Sequence, residues 1–90
     1  MNANLDELWP AIVLVKENPL AKATFDLVTK NLGISGYAIA RQLDKDPTLI
    51  QNALVSLRDN HVIASGSADL RDNFTLTGPG FRLKQYLEKK

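Results

Sequence analysis

Between Thr48 and Arg58, polar side chains that can make paired hydrogen bonds alternate with aliphatic ones at helical spacing. Ile50, Leu54 and Leu57 follow at steps of four and three, the pattern of one helix face. If that face turns inward, the opposite face shows Thr48, Leu49, Gln51, Asn52, Val55 and Ser56. The amides of Gln51 and Asn52 each carry a donor and an acceptor side by side. That pair matches the adenine edge in a DNA major groove, and Thr or Leu can touch a thymine methyl. Arg41, Lys45, Arg58 and Arg71 are the cations placed to hold phosphates around such a face. Ser56 completes the polar edge.

Other chemistries find little material. There is no cysteine, which excludes a disulfide scaffold, a thiolate zinc site and a thiol nucleophile. One histidine leaves little for a metal site or a Ser-His-Asp triad. Asp44 and Asp46 lie in a turn, where they suit helix capping better than acid–base work. Gly78-Pro79-Gly80 lacks the Lys-Ser/Thr of a phosphate-binding loop, and Asp69 with Asp72 is too few for a calcium loop. No catalytic residue, cofactor or metal is expected. The longest apolar run, Ala11 to Val15, is far short of the ~20 residues of a membrane span. Met1-Asn2-Ala3-Asn4 has no basic stretch typical of a signal peptide. A cytoplasmic protein is the expectation.

These side chains must be positioned by a small chain. Its 90 residues suggest one domain, 44% hydrophobic and 23% charged, with a net charge of +1. Punctuation cuts the chain into units. Asn4 and Glu7 have capping-box spacing ahead of a helix from Leu5 to about Lys16. Leu5, Leu8, Trp9 and Ile12 fall on one of its faces. Pro10 either kinks this helix or begins it, and the β-prone run Ala11 to Val15 keeps a strand as the competing reading. Asn18-Pro19 predicts a helix to Leu32 with Leu20, Ala23, Leu27 and Val28, and with Thr24 as a further candidate, on its inner stripe; Gly33 stops it. Ser35 caps a helix from Gly36 to about Leu43, with Ile39, Ala40 and Leu43 inward. Asp46-Pro47 starts the next, to about Asn60. The three-residue turn between them forces a steep crossing. Val62-Ile63-Ala64 and Phe74-Thr75-Leu76 predict an antiparallel hairpin with a loose tip. Thr77-Gly78-Pro79-Gly80 caps a last helix, Phe81 to about Lys89, with Phe81, Leu83 and Leu87 apolar and Tyr86 as a further candidate.

The fold class is therefore α+β and mostly helical. The order helix, helix, tight turn, helix, hairpin, helix resembles the winged helix-turn-helix domains of bacterial transcription regulators of the MarR and PadR kind, over roughly Pro19 to Leu87. Ile34 to Leu43 is similar to the positioning helix. Asp46 to Leu54 resembles the start of the recognition helix, and Leu57 to Ile63 its exit into the wing. Phe74-Thr75-Leu76-Thr77-Gly78-Pro79-Gly80 matches the aromatic-x-Leu-Thr-x-x-Gly pattern that ends the wing. The family usually has Gly where His61 stands, at a position that often needs a left-handed backbone. His is tolerated there, so His61 is read as a helix C-terminal residue, with Asn60 as the alternative.

The resemblance implies one winged-helix domain over 1–90. It divides into an N-terminal extension over 1–17, a core over 19–77 and a C-terminal helix over 78–90. It implies double-stranded DNA binding by a dimer of the terminal helices, with Leu5, Leu8, Trp9, Ile12, Tyr86 and Leu87 at the interface; packing of Trp9 inside its own domain is the competing reading. Thr48, Gln51 and Asn52 would read bases, with Leu49 and Ser56 beside them, and Arg41, Lys45, Arg58 and Arg71 would hold the backbone. Charge argues the other way. Ser35 to Thr75 holds four basic against five acidic residues, net −1, while the net +3 tail has Arg82, Lys84, Lys89 and Lys90 against Glu88. A winged-helix adaptor for protein, using Leu49, Val55 and the wing, is the alternative. A plasmid or phage replication or partition protein is a third.

Overall fold

The computed structural model describes residues 3–67 and 69–89, with side chains from residue 8 onward. Helices α1 (Ala3–Glu17) and α2 (Pro19–Lys30) are followed by strand β1 (Ile34–Ser35) and helices α3 (Gly36–Leu43) and α4 (Pro47–Asp59). Strands β2 (Ile63–Ala64) and β3 (Asn73–Leu76) then lead to α5 (Gly78–Glu88). The segment Ala11 to Val15 is helical, and α1 passes through Pro10 and neither starts nor stops there. It begins at Ala3, so Asn4 lies inside it and is not its cap.

Four helix starts rest on side chains that satisfy otherwise orphaned amides. Asn18 Oδ1 accepts from the N–H groups of Leu20 and Ala21, both at 3.1 Å. Ser35 Oγ accepts from Ala38 at 3.1 Å, and Asp46 Oδ1 from Thr48 at 2.8 Å. Thr77 Oγ1 accepts from Gly80 at 3.0 Å, which starts α5 three residues before the expected Phe81. At the ends, Asp44 takes a left-handed φ of 55° after α3, and His61 takes 62° after α4. His61 thus fills the left-handed position read for it, and Asn60 caps α4 through its Nδ2, which donates to the Ser56 carbonyl at 2.8 Å.

The sheet has three antiparallel strands in the order β1-β3-β2, one more than the predicted hairpin. Ile34 pairs with Phe74, and Ile63 with Leu76. Two residues are too short for β1 to carry a readable alternation, and its pairing depends on β3, some forty residues on.

One cluster of buried side chains joins every element: Leu8, Ile12 and Val15 from α1, Phe25 and Val28 from α2, Ile39 from α3, Ile50, Leu54 and Leu57 from α4, Phe74 from β3 and Leu83 from α5, among others. Two apolar stripes differ from the sequence reading. On α2 the buried residues are Ala21, Thr24, Phe25 and Val28, while Leu20, Ala23 and Leu27 are half-buried. The stripe is rotated by one residue, because α1 and α4 cover α2 from different sides. On α5, Leu83 is buried but Phe81 is 46% exposed. Phe81 and Leu83 are two residues apart and so lie about 200° apart around the helix, and burying Leu83 turns Phe81 outward. Thr24 Oγ1 is buried with no hydrogen-bond partner among the described residues. No helix of the described residues is long and apolar enough to cross a membrane.

Candidate nucleic-acid interface

Helix α4 sits on α2 and α3 through Ile50, Ala53, Leu54 and Leu57, all buried. Burying that face fixes the opposite one in the open. Thr48, Leu49, Gln51, Asn52 and Val55 are exposed, and Ser56 is half-buried. The outward stripe continues to Arg58 and Asp59, seven residues beyond Gln51 and Asn52 and so on nearly the same helix faces. Asp46 at the N-cap is committed to the Thr48 amide.

The four predicted phosphate ligands are all exposed: Arg41 on α3, Lys45 in the α3–α4 turn, Arg58 in the last turn of α4 and Arg71 in the wing loop. None of them forms an ion pair among the described residues, where the pairs are Lys22–Asp26 and Lys84–Glu88. Their charges are therefore free to act outward. Lys45 borders an open groove of about 400 Å3 whose apolar walls include Leu20, Ala23, Leu43 and Leu49.

The wing differs from the loose tip that the sequence suggests. Asp72 Oδ2 accepts from the Ser67 N–H at 2.7 Å and from its hydroxyl at 2.6 Å. Asp69 Oδ1 accepts from the Arg71 N–H at 2.9 Å. Leu70 is buried, and its carbonyl accepts from Tyr37 N–H at 3.0 Å. A Cβ on Gly36 would stand 2.8 Å from the Leu70 Cα. The loop is closed on itself and tucked against the start of α3, because its acidic side chains find backbone donors nearby and its one leucine finds the core. Arg71 projects from a fixed turn between Asp69 and Asp72.

At the terminal helices the expected interface needs correcting. Leu8 is 4% and Ile12 0% exposed, both in the core of their own chain, because this face of α1 packs against α2 and α5. They are not available to a partner. Tyr86 and Leu87 are half-buried against the same core, and the Lys16 Nζ lies 5.7 Å from the centre of the Tyr86 ring, a cation–π distance. Trp9 is 54% exposed and faces away from the core. The Leu5 side chain lies outside the described residues.

A feature that sequence reasoning passed over is the hollow where α4 runs into β2. It has a volume of about 480 Å3, and its lining includes Arg58, Asp59, His61, Ser65 and Thr77. The Arg58-x-x-His61 spacing was its only trace in the sequence.

A helix pair joined by a tight turn, followed by a short antiparallel wing and a closing helix, defines a winged helix-turn-helix fold, with α1 added in front. No protein-family model and no curated protein sequence matches the chain.

Proposed function

We propose that this chain is a small dimeric regulator of transcription, of the MarR or PadR kind, that binds double-stranded DNA through α4. The observation that carries the reading is the division of that helix. Ile50, Leu54 and Leu57 are fully buried, and Thr48, Gln51 and Asn52 are left in solvent with side chains suited to base edges. Arg41, Lys45, Arg58 and Arg71 hold the backbone. The net −1 charge from Ser35 to Thr75 makes one copy a weak binder. Two copies double the phosphate contacts and match a two-fold site. Trp9 is the side chain most suited to join them, and no cofactor, metal or catalysis is invoked. Residence in the cytoplasm follows from this role.

Binding to random genomic fragments at low and at physiological salt tests the reading. Retention of particular fragments, with affinity falling steeply as salt rises, supports it. Arg71→Ala should weaken binding to all sequences alike and reduce the salt slope by about two, one contact in each copy of the dimer. Asn52→Ala should blur sequence preference, at a cost of about 1–3 kcal/mol for the preferred base pair. Equal behaviour of the two variants counts against these roles. Trp9→Ala should shift sedimentation toward the monomer. Because Trp9 is more than half exposed, its loss should leave the monomer folded, and an unchanged mass would remove Trp9 from the interface.

A second reading is an adaptor for protein. It is favoured by Leu49, 49% exposed on the rim of the apolar groove beside Lys45. Absence of DNA binding even at low salt would select it.

A further inference from the structure

The hollow at the end of α4 contains two cationic or donor side chains that the fold does not use. The carbonyls of Ser56, Leu57 and Arg58 near the end of α4 are already satisfied by backbone and Asn60. Ser56 accepts from the Asn60 N–H at 3.1 Å, Leu57 from Val62 at 3.3 Å, and Arg58 from His61 at 2.9 Å. The side chains of Arg58 and His61 are therefore not needed as caps, and neither makes a hydrogen bond or ion pair among the described residues. The hydroxyls that share the hollow are committed. Thr77 donates to the His61 carbonyl and Ser65 to the Ser67 carbonyl. Arg58 and His61 remain as the free donors of a cavity of about 480 Å3.

His61 occupies the left-handed backbone position after α4, φ 62°, where His is among the better tolerated residues other than glycine. Arg58 lies seven residues after Gln51, so the hollow continues the polar face of α4.

We propose that this hollow is a phosphate site, in which the Arg58 guanidinium and an imidazole N–H of His61 donate to the oxygens of one backbone phosphate of bound DNA. The proposal deepens the DNA-binding reading and rests on it. Guanidinium donation to phosphate is charge-assisted and planar, which suits a diester with two free oxygens. Asp59 borders the same hollow and opposes the anion, so it tunes the site downward.

The test compares wild type, Arg58→Ala, His61→Gly and Asp59→Asn for affinity to a DNA fragment that wild type retains, across a salt series. Arg58→Ala should weaken binding and lower the salt slope by about two, one phosphate contact in each copy of the dimer. His61→Gly should weaken it about ten- to a hundredfold, the scale of one lost hydrogen bond in each copy of the dimer. Its melting temperature should stay level or rise, since glycine suits the position, so weaker binding cannot be put down to unfolding. Asp59→Asn should tighten binding. If wild type binds and both Arg58→Ala and His61→Gly bind equally well, the site is overturned while the DNA reading stands. If wild type binds no DNA, that reading fails, and the DNA source of the phosphate fails with it. An inorganic phosphate titration, followed by amide shifts at Arg58 and His61, separates the two sources. Saturable shifts in a protein that does not bind DNA would assign the hollow to a free phosphorylated molecule. No shifts in such a protein would overturn it altogether.

Discussion

Phe25→Ala should lower the free energy of unfolding by about 3–5 kcal/mol, the usual cost of emptying an aromatic site in a closed core. Phe25 is 0% exposed and among the largest fully buried side chains. It sits on α2, which packs against α1, α4 and β3 at once. No single neighbour can relax into the space without pulling away from another, so much of the cavity should persist. A domain of this size has about 5–15 kcal/mol to lose, so the variant should be close to unfolding at physiological temperature. Urea denaturation read by circular dichroism gives the number. A loss below about 1 kcal/mol would mean that the core closes over the gap, and that α2 is held mainly by its neighbours at Val28 and Ala21. The consequence reaches the site, because α4 is positioned on α2. DNA affinity of the variant should therefore fall with the folded fraction and not independently of it.

Gly80→Ala should be nearly as damaging, at about 3 kcal/mol, through the opposite fault of too much matter in too little space. A Cβ at this position would lie 2.0 Å from the Val62 carbonyl oxygen. That oxygen belongs to backbone and already accepts from the Thr77 N–H at 3.3 Å, so it cannot swing aside as a side chain would. The first turn of α5 must then lift off the Val62 backbone just before β2, which breaks the stitching by which Thr77 binds the His61 carbonyl. Gly78 is the internal control. Nothing lies within 4 Å of its would-be Cβ, so Gly78→Ala should be neutral or stabilise by about 0.4–1 kcal/mol through a less flexible unfolded chain. Melting temperatures of the two variants measured side by side decide it. Similar values would show that α5 does not approach β2 as closely as its backbone indicates.

The contrast between these two glycines also marks how far a sequence can be read. Thr77-Gly78-Pro79-Gly80 was legible as a helix start with Gly80 in its first turn. The pattern could not say which backbone it meets. The stripe of α2 is a similar case. Leu20, Ala23 and Leu27 fit a helical period as well as Ala21, Phe25 and Val28 do, and spacing alone cannot choose between two overlapping sets. The choice came from the angle at which α1 and α4 flank the helix. Leu70 stood in a stretch of Ser, Gly and Asp that reads as a loose loop, and only its contact with Gly36 shows that the wing is folded back.

The sequence by itself determined the helix starts set by Asn18, Ser35 and Asp46, the capping role of Thr77, and the inward face of α4. Each of these is a local matter: a side-chain oxygen reaches an amide two or three residues ahead, or three aliphatic groups recur on one helical face. The tertiary structure decided the third strand, the burial of Leu8 and Ile12 in their own chain, and the meeting of Arg58 with His61 in one hollow. Those outcomes depend on distances between segments far apart along the chain, or on which way a turn carries a side chain. They are set when all the elements share one core, and no short window of residues contains that information.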